Sequence, residues 1–225
     1  MSALRLAMTI PFIYFGSQIV AAPFYPGYSF MARDASTLSS SGSSAPWIFN
    51  SAAIVIGVLC LVAAAGVWRA FRRLRMSQVL AALTSLALVS AGLGSLNAGM
   101  FPLPDPRHTG GLLSQLGMGV LLLPVLFAIA AWRLRSPRWL TRYALLNLLV
   151  LVAFVPVMSG MIQRFGISAG LDLNGYQRFL NGSQGLLQRV AALAVFMPIA
   201  VLAYRLDQGI RSVDHAGVRE RQTGP

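Results

Sequence analysis

Acidic side chains are scarce in this chain, with six Asp and Glu among 225 residues. They are Asp34, Asp105, Asp172, Asp207, Asp214 and Glu220, and all lie outside the long apolar runs. No acid pair is spaced along one helix for general acid and base work. No ionisable residue falls near the middle of an apolar segment, so proton-coupled or ion-coupled transport gains no support. The single cysteine, Cys60, excludes an intrachain disulfide and a multi-cysteine metal site. The two histidines, His108 and His215, are too few and too far apart in sequence for a zinc centre of several imidazoles.

What is abundant is apolar. Hydrophobic residues make up 56% of the chain and charged residues 11%, with a mean hydropathy of +0.66, against roughly 25% charged in a soluble domain. Six segments approach the ~20 residues that a bilayer crossing needs: Leu4 to Ala22, Trp47 to Trp68, Ser77 to Met100, Gly111 to Trp132, Leu140 to Gln163 and Gly185 to Tyr204. The first also reads as a signal peptide, with Val20-Ala21-Ala22 as a cleavage site. Pro11, Gly16, Ser17 and Gln18 interrupt its core, and an uncleaved helix is the expectation.

All eighteen basic residues are arginines, and they fix the orientation. Arg5, then Arg69, Arg72, Arg73 and Arg75, then Arg133, Arg135, Arg138 and Arg142, then Arg205, Arg211, Arg219 and Arg221 fall on one side of the six segments. Arg33, Arg107, Arg164, Arg178 and Arg189 fall on the other. The crowded side is cytoplasmic by the positive-inside rule, which places both termini inside and His108 opposite His215. The net charge of +12 is then a topology signal that also suits anionic lipid, and nucleic acid is not an expected partner. The predicted fold is all-α, a polytopic bundle of six transmembrane helices over residues 1–205 with a cytoplasmic tail at 206–225, in the inner or plasma membrane.

The stretch from Ser95 to Gln115 organises the chain, joining two apolar segments through a Pro-rich turn that carries His108. Before it, Ala91, Ser95 and Gly99, with Ser90, Gly94 and Ala98 on the adjacent row, give the third segment small residues at spacing four, which predicts close helix packing and a central position. Ser36 to Pro46, too polar and small to form its own core, reads as a mobile cover or a flexible connector. Pro124, Pro156 and Pro198 predict kinks in the fourth, fifth and sixth helices. The Trp68-Arg69 and Trp132-Arg133 pairs suit a cytoplasmic interface.

Four motifs carry a resemblance. Trp47-Ile48-Phe49-Asn50 opens the second segment, Gly99-Met100-Phe101-Pro102 closes the third, a histidine sits in the next turn, and Gly185-Leu186-Leu187-Gln188-Arg189 lies in the last segment. In that order the chain resembles the bacterial domain-of-unknown-function family 998 over nearly its whole length. The resemblance implies the fold and a membrane location and supplies no activity. A distant likeness in helix count and outer polar residues is to DRAM-type membrane proteins associated with lipid handling. Intramembrane hydrolases resembling alkaline ceramidases need several histidines, an aspartate and a serine around zinc, a set that this chain cannot gather on one face.

The candidate site is a polar layer at one depth near the outer ends: Gln18, Asn50, Asn97, Gln115, Gln163 and Gln188, one from each helix. Arg189, about one turn inside the last helix, is expected to hold an anionic lipid headgroup there with Arg164 and His108. The competing expectation pairs Arg189 with Asp34 or Asp105 and leaves the amides as helix caps. His108 with Asp105 is the one acid-base pair, set against a loop histidine bonded to backbone. No catalytic residue, metal or cofactor is expected. The functional expectation is a non-enzymatic lipid-interacting or lipid-handling protein, with a small transporter or channel-like carrier and a membrane-embedded hydrolase as alternatives.

Overall fold

Pro11 has no N–H to offer the carbonyl of Ala7, so the first apolar segment is built from two helices, α1 (Ala3–Ala7) and α2 (Ile10–Ala21). Thr9 bridges them, its hydroxyl donating to the Leu6 carbonyl at 2.7 Å. The computed structural model describes residues 3–134, 137–158, 167–168 and 172–222, with backbone only at 155, 156, 158 and 216–222. After α2 come two short 3-10 turns, Ala22–Phe24 and Ala35–Ser39, and then α3 (Trp47–Arg73) and α4 (Gln78–Met100), the latter capped by Ser77. The single turn α5 (Arg107–Gly110) leads into α6 (Leu112–Gly117), a 3-10 stretch Met118–Leu122 and α7 (Leu123–Arg133). Pro124 lies at the start of α7, where its missing donor costs least, and the fourth segment changes helix type just before it. α8 (Arg138–Met158) and α9 (Asn174–Gln222) complete the chain. α9 has 49 residues, and runs on through Pro198 and past Arg205 as one helix. Its length is ~73 Å at 1.5 Å per residue.

Among the described residues there is no strand, and five helical stretches are long and apolar enough to cross a membrane: Ala3–Phe24, Trp47–Arg73, Gln78–Met100, Leu112–Arg133 and Asn174–His215. α8 occupies the place of the expected fifth segment, Leu140 to Gln163. Gln163 and Arg164 lie outside the described residues, as does the side chain of Pro156.

The tightest seam joins α3 to α4. A methyl group on Gly57 would stand 2.6 Å from Leu96 Cγ and 2.9 Å from the Gly92 carbonyl, and one on Gly92 would stand 2.9 Å from the Gly57 carbonyl. On its other flank α4 meets the fourth segment at Gly94 and Gly117, where a methyl on Gly117 would lie 2.7 Å from Gly94 Cα. Ser90 donates to the Leu116 carbonyl across the same seam, and Ser85 donates to Ala64 at 3.1 Å towards α3. These contacts need only short side chains, which is how helices gain packing where lipid competes for apolar surface.

Central position is the point of correction. α4 packs mainly on α3 and the fourth segment, whereas α9 lies against α1, α2, α3, α7 and α8. Small residues decide how closely two helices approach, but the hub is the helix that closes the ring, and α9 does so as the last to join. One continuous core includes Leu4, Ile10, Cys60, Phe71, Leu88, Phe127, Leu140, Ile199 and Leu206, drawn from every span. Large apolar side chains also cover the outside: Phe12 is 72% exposed, Leu149 65% and Val152 60%. A girdle of that kind suits hydrocarbon, since lipid tails make good neighbours for Leu and Val.

Candidate functional site

The segment after α2, where no core of its own was expected, packs around a small one. Leu38 and Ala35 are buried with Ala21 and Phe49, and Tyr25 and Tyr28 pack around them. One leucine in a serine-rich run is its apolar anchor. Ser44 ties the far end back, its N–H and hydroxyl donating to the Phe24 carbonyl at 2.9 and 3.1 Å.

The outer part of α9 holds this segment down. Gln184 donates to Asp34 Oδ2 at 2.9 Å, and Gln188 Oε1 accepts the Ala35 N–H at 2.7 Å. The Leu186 N–H reaches the Met31 carbonyl at 3.0 Å. Gly185 permits that approach, because a methyl there would run into the Arg33 carbonyl. Arg189 is the main fastening. Its Nη1 donates to the carbonyls of Phe30 at 2.8 Å, Arg33 at 3.1 Å and Gly185 at 2.7 Å, and its Nη2 donates to the Tyr28 hydroxyl. The guanidinium stacks 4.9 Å from the Phe30 ring centre and 5.7 Å from that of Tyr28. Arg189 thus pairs with neither Asp34 nor Asp105, because backbone carbonyls take up its donors. Burial pushes the Tyr28 hydroxyl up in pKa against the nearby Arg189 charge. It also pushes Asp34 up, while the Gln184 bond and Arg189 draw it back. Asp34 Oδ1 and Arg189 Nε are buried without a partner among the described residues.

The Pro-rich turn is braced from α4. Asn97, 2% exposed, donates from Nδ2 to the carbonyls of Arg107 and His108, each at 3.0 Å. His108 Nδ1 donates to the Phe101 carbonyl at 2.8 Å; a carbonyl only accepts, so Nδ1 carries the proton. Asp105 is taken by Arg107, whose Nη2 and Nε donate to its two oxygens at 2.7 and 3.0 Å. Those bonds, and one from the Arg107 N–H, hold the exposed Asp105 carboxyl down to about 2. His108 and Asp105 are therefore not bonded as an acid-base pair. The histidine does what the alternative expected and bonds to backbone.

Between the braced segment and the turn lies a cavity of about 170 Å³. Tyr14 borders it from α2, Phe49, Ala53 and Ile56 from α3, Ser95 and Ala98 from α4, His108 from α5, Ala35 and Ser36 from the outer segment, and Gln188 from α9. Of the expected layer, His108 and Gln188 reach this space, and Asn97 stands behind His108. Gln18 is buried and bonds to Tyr14 O on its own helix at 3.2 Å, Asn50 Oδ1 is buried without a partner, and Gln115 is exposed. Tyr14, Ser36 and Ser95 were not among the expected site residues. Ser95 and Ala98 stood on the small-residue rows, and that spacing was the available signal. Among the described residues no group of three or more His, Cys, Asp or Glu could hold a metal ion.

Neither the curated proteins nor the solved structures contain a match to this chain. The family described as "Protein of unknown function (DUF998)" matches residues 8–205, covering the four motifs and the cavity, and the chain belongs to it.

Proposed function

We propose that this protein crosses the membrane six times with both termini in the cytoplasm, and that it binds the polar headgroup of a membrane lipid in the outer cavity without chemistry on it. The observation that carries the reading is the cavity itself, a space of about 170 Å³ at one end of an apolar bundle, with a mostly apolar lining and a few polar groups, Ser36, Ser95, His108 and Gln188 among them. The 21 residues of α8 are long enough for the sixth crossing, and the arginine distribution supports the orientation. The missing bond between His108 and Asp105 gives hydrolysis no support. Arg189 serves as the fastening of the covering segment, and so the headgroup is met by the neutral lining.

The test uses protein stripped of lipid in a mild detergent, with thermal unfolding followed as lipid is added back. A ligand at a hundred times its Kd adds ~2.7 kcal/mol to stability, so a saturable rise in Tm is expected. Ala98→Phe, which fills the cavity from α4, should abolish the rise and leave the lipid-free Tm within a few degrees. A rise that survives Ala98→Phe puts the lipid elsewhere and sinks the proposal. Solute flux in proteoliposomes would favour a carrier, and product formation lost in His108→Ala a hydrolase.

A further inference from the structure

We infer that the group the cavity takes is uncharged and bears hydroxyls on neighbouring carbons, as the sugar or glycerol headgroup of a neutral lipid does. The inference rests on the reading of the cavity as a headgroup site. Among the described residues no Asp, Glu or Arg lines the space. Nearby charged groups bond mostly outside the space: Arg107 to Asp105, Arg189 Nη1 to the carbonyls of Phe30 and Arg33, and Asp34 Oδ2 to Gln184. A charged guest would have to shed its water with no opposite charge to receive it, which is expensive.

The polar groups that do line the cavity have a readable donor and acceptor pattern. His108 spends its Nδ1 proton on the Phe101 carbonyl, so in the neutral imidazole Nε2 can only accept. Gln188 spends its Oε1 on the Ala35 N–H, so its amide group is left to donate. The hydroxyls of Ser36, Ser95 and Tyr14 can each donate and accept, and no described residue bonds to them. A carbon-borne hydroxyl likewise donates and accepts, so a guest with two of them can donate to His108 and accept from Gln188. A phosphate diester or carboxylate only accepts, and would set its lone pairs against Nε2. The rings of Tyr14 and Phe49 and the side chain of Ile56 give the guest's C–H faces an apolar wall. At ~30 Å³ per water, a space of about 170 Å³ equals five or six waters. That suits a headgroup and is too small for a whole lipid.

The experiment compares three lipids with the same acyl chains at pH 8: monoglucosyl diacylglycerol, phosphatidic acid and phosphatidylcholine. Affinity is read from the Tm titration in detergent. The glucosyl lipid should bind about tenfold more tightly than either phospholipid, the scale of one buried hydrogen bond. His108→Phe removes the acceptor, and Ser95→Ala removes a hydroxyl that braces nothing and so keeps the test open should the histidine variant fail to fold. Each should cost the glucosyl lipid about tenfold and leave phosphatidic acid unchanged. Phosphatidic acid binding as tightly as the glucosyl lipid, and losing its effect in Ala98→Phe, overturns the inference and keeps the headgroup reading. A response to every lipid that ignores Ala98→Phe overturns both.

Discussion

At Arg189 a cation sits well inside α9, which begins at Asn174, and among the described residues no carboxylate bonds to it. Three carbonyls and a phenol share its donors instead, so the charge is solvated by the segment it fastens. Arg189→Gln strands the carbonyls of Phe30 and Arg33 and should cost about 1–3 kcal/mol. It should also speed thiol labelling at Ser36→Cys, since the cover then lifts more often; unchanged labelling would show that Leu38 alone seats the segment. Two aspartates beside this region answer pH with opposite signs. Asp34 is harder to ionise in the folded protein than in the unfolded chain, because it is partly buried. It therefore costs stability above its folded pKa, a cost relieved as the pH falls through that value. Asp34→Asn should raise Tm at pH 7, with the gain shrinking towards pH 4. Asp105, held to about 2 by Arg107, contributes fully above the ordinary carboxylate range and loses that contribution only as the pH falls towards 2. Asp105→Asn should lower Tm at pH 7 and converge with the parent protein only in strong acid.

Among the helices, the seams make the sharpest predictions. Gly117→Ala drives a methyl into the backbone of Gly94 and should cost about 1–3 kcal/mol. Gly16→Ala in α2 meets nothing within 4 Å and should be neutral or stabilising by up to ~1 kcal/mol. Thermal unfolding of both in one detergent checks the contrast, and equal effects would mean that α4 and the fourth segment can part without cost. The helices themselves were largely legible, since length and hydropathy place most of their ends within a few residues, but the last one runs Asn174–Gln222 where Gly185 to Tyr204 was expected. The use of each face was not. Spacing at four residues marks a small-residue face without naming its neighbour, so Gly94 and Gly99 meet other helices while Ser95 and Ala98 face empty space. His108, Asn97 and Gln188 stood out as polar groups at one depth. Tyr14 and Ser36 did not, because an aromatic in an apolar run and a serine in a serine-rich loop carry no pattern of their own.

For the whole molecule, orientation is the property most open to test. Cysteines at Ser41 and Gly175 should label in intact cells, and cysteines at Gln78 and Gln208 only after permeabilisation; outside labelling at Gln78 would invert the protein. The native Cys60 is fully buried and will not confuse the result. At the end of the bundle away from the cavity Arg5 and Arg211 meet Asp207 at 3.6 and 2.6 Å, and Arg73 meets Asp214 at 2.5 Å. Exposed pairs of this kind add about 0–1 kcal/mol each, so they steer that end of α9 more than they stabilise it. The outer fastening has a consequence in time. Arg189 is made 159 residues after the Phe30 carbonyl that it grips. At ~5–20 residues per second of synthesis, the outer segment waits roughly 8 to 30 s for its anchor. Throughout that interval the cavity lacks Gln188 and its cover lacks Arg189, so on the proposed headgroup reading a nascent chain gains its binding site only once its last helix is in the bilayer. Ligand occupancy would thus report a completed protein, and a chain stopped before α9 would sit in the membrane empty.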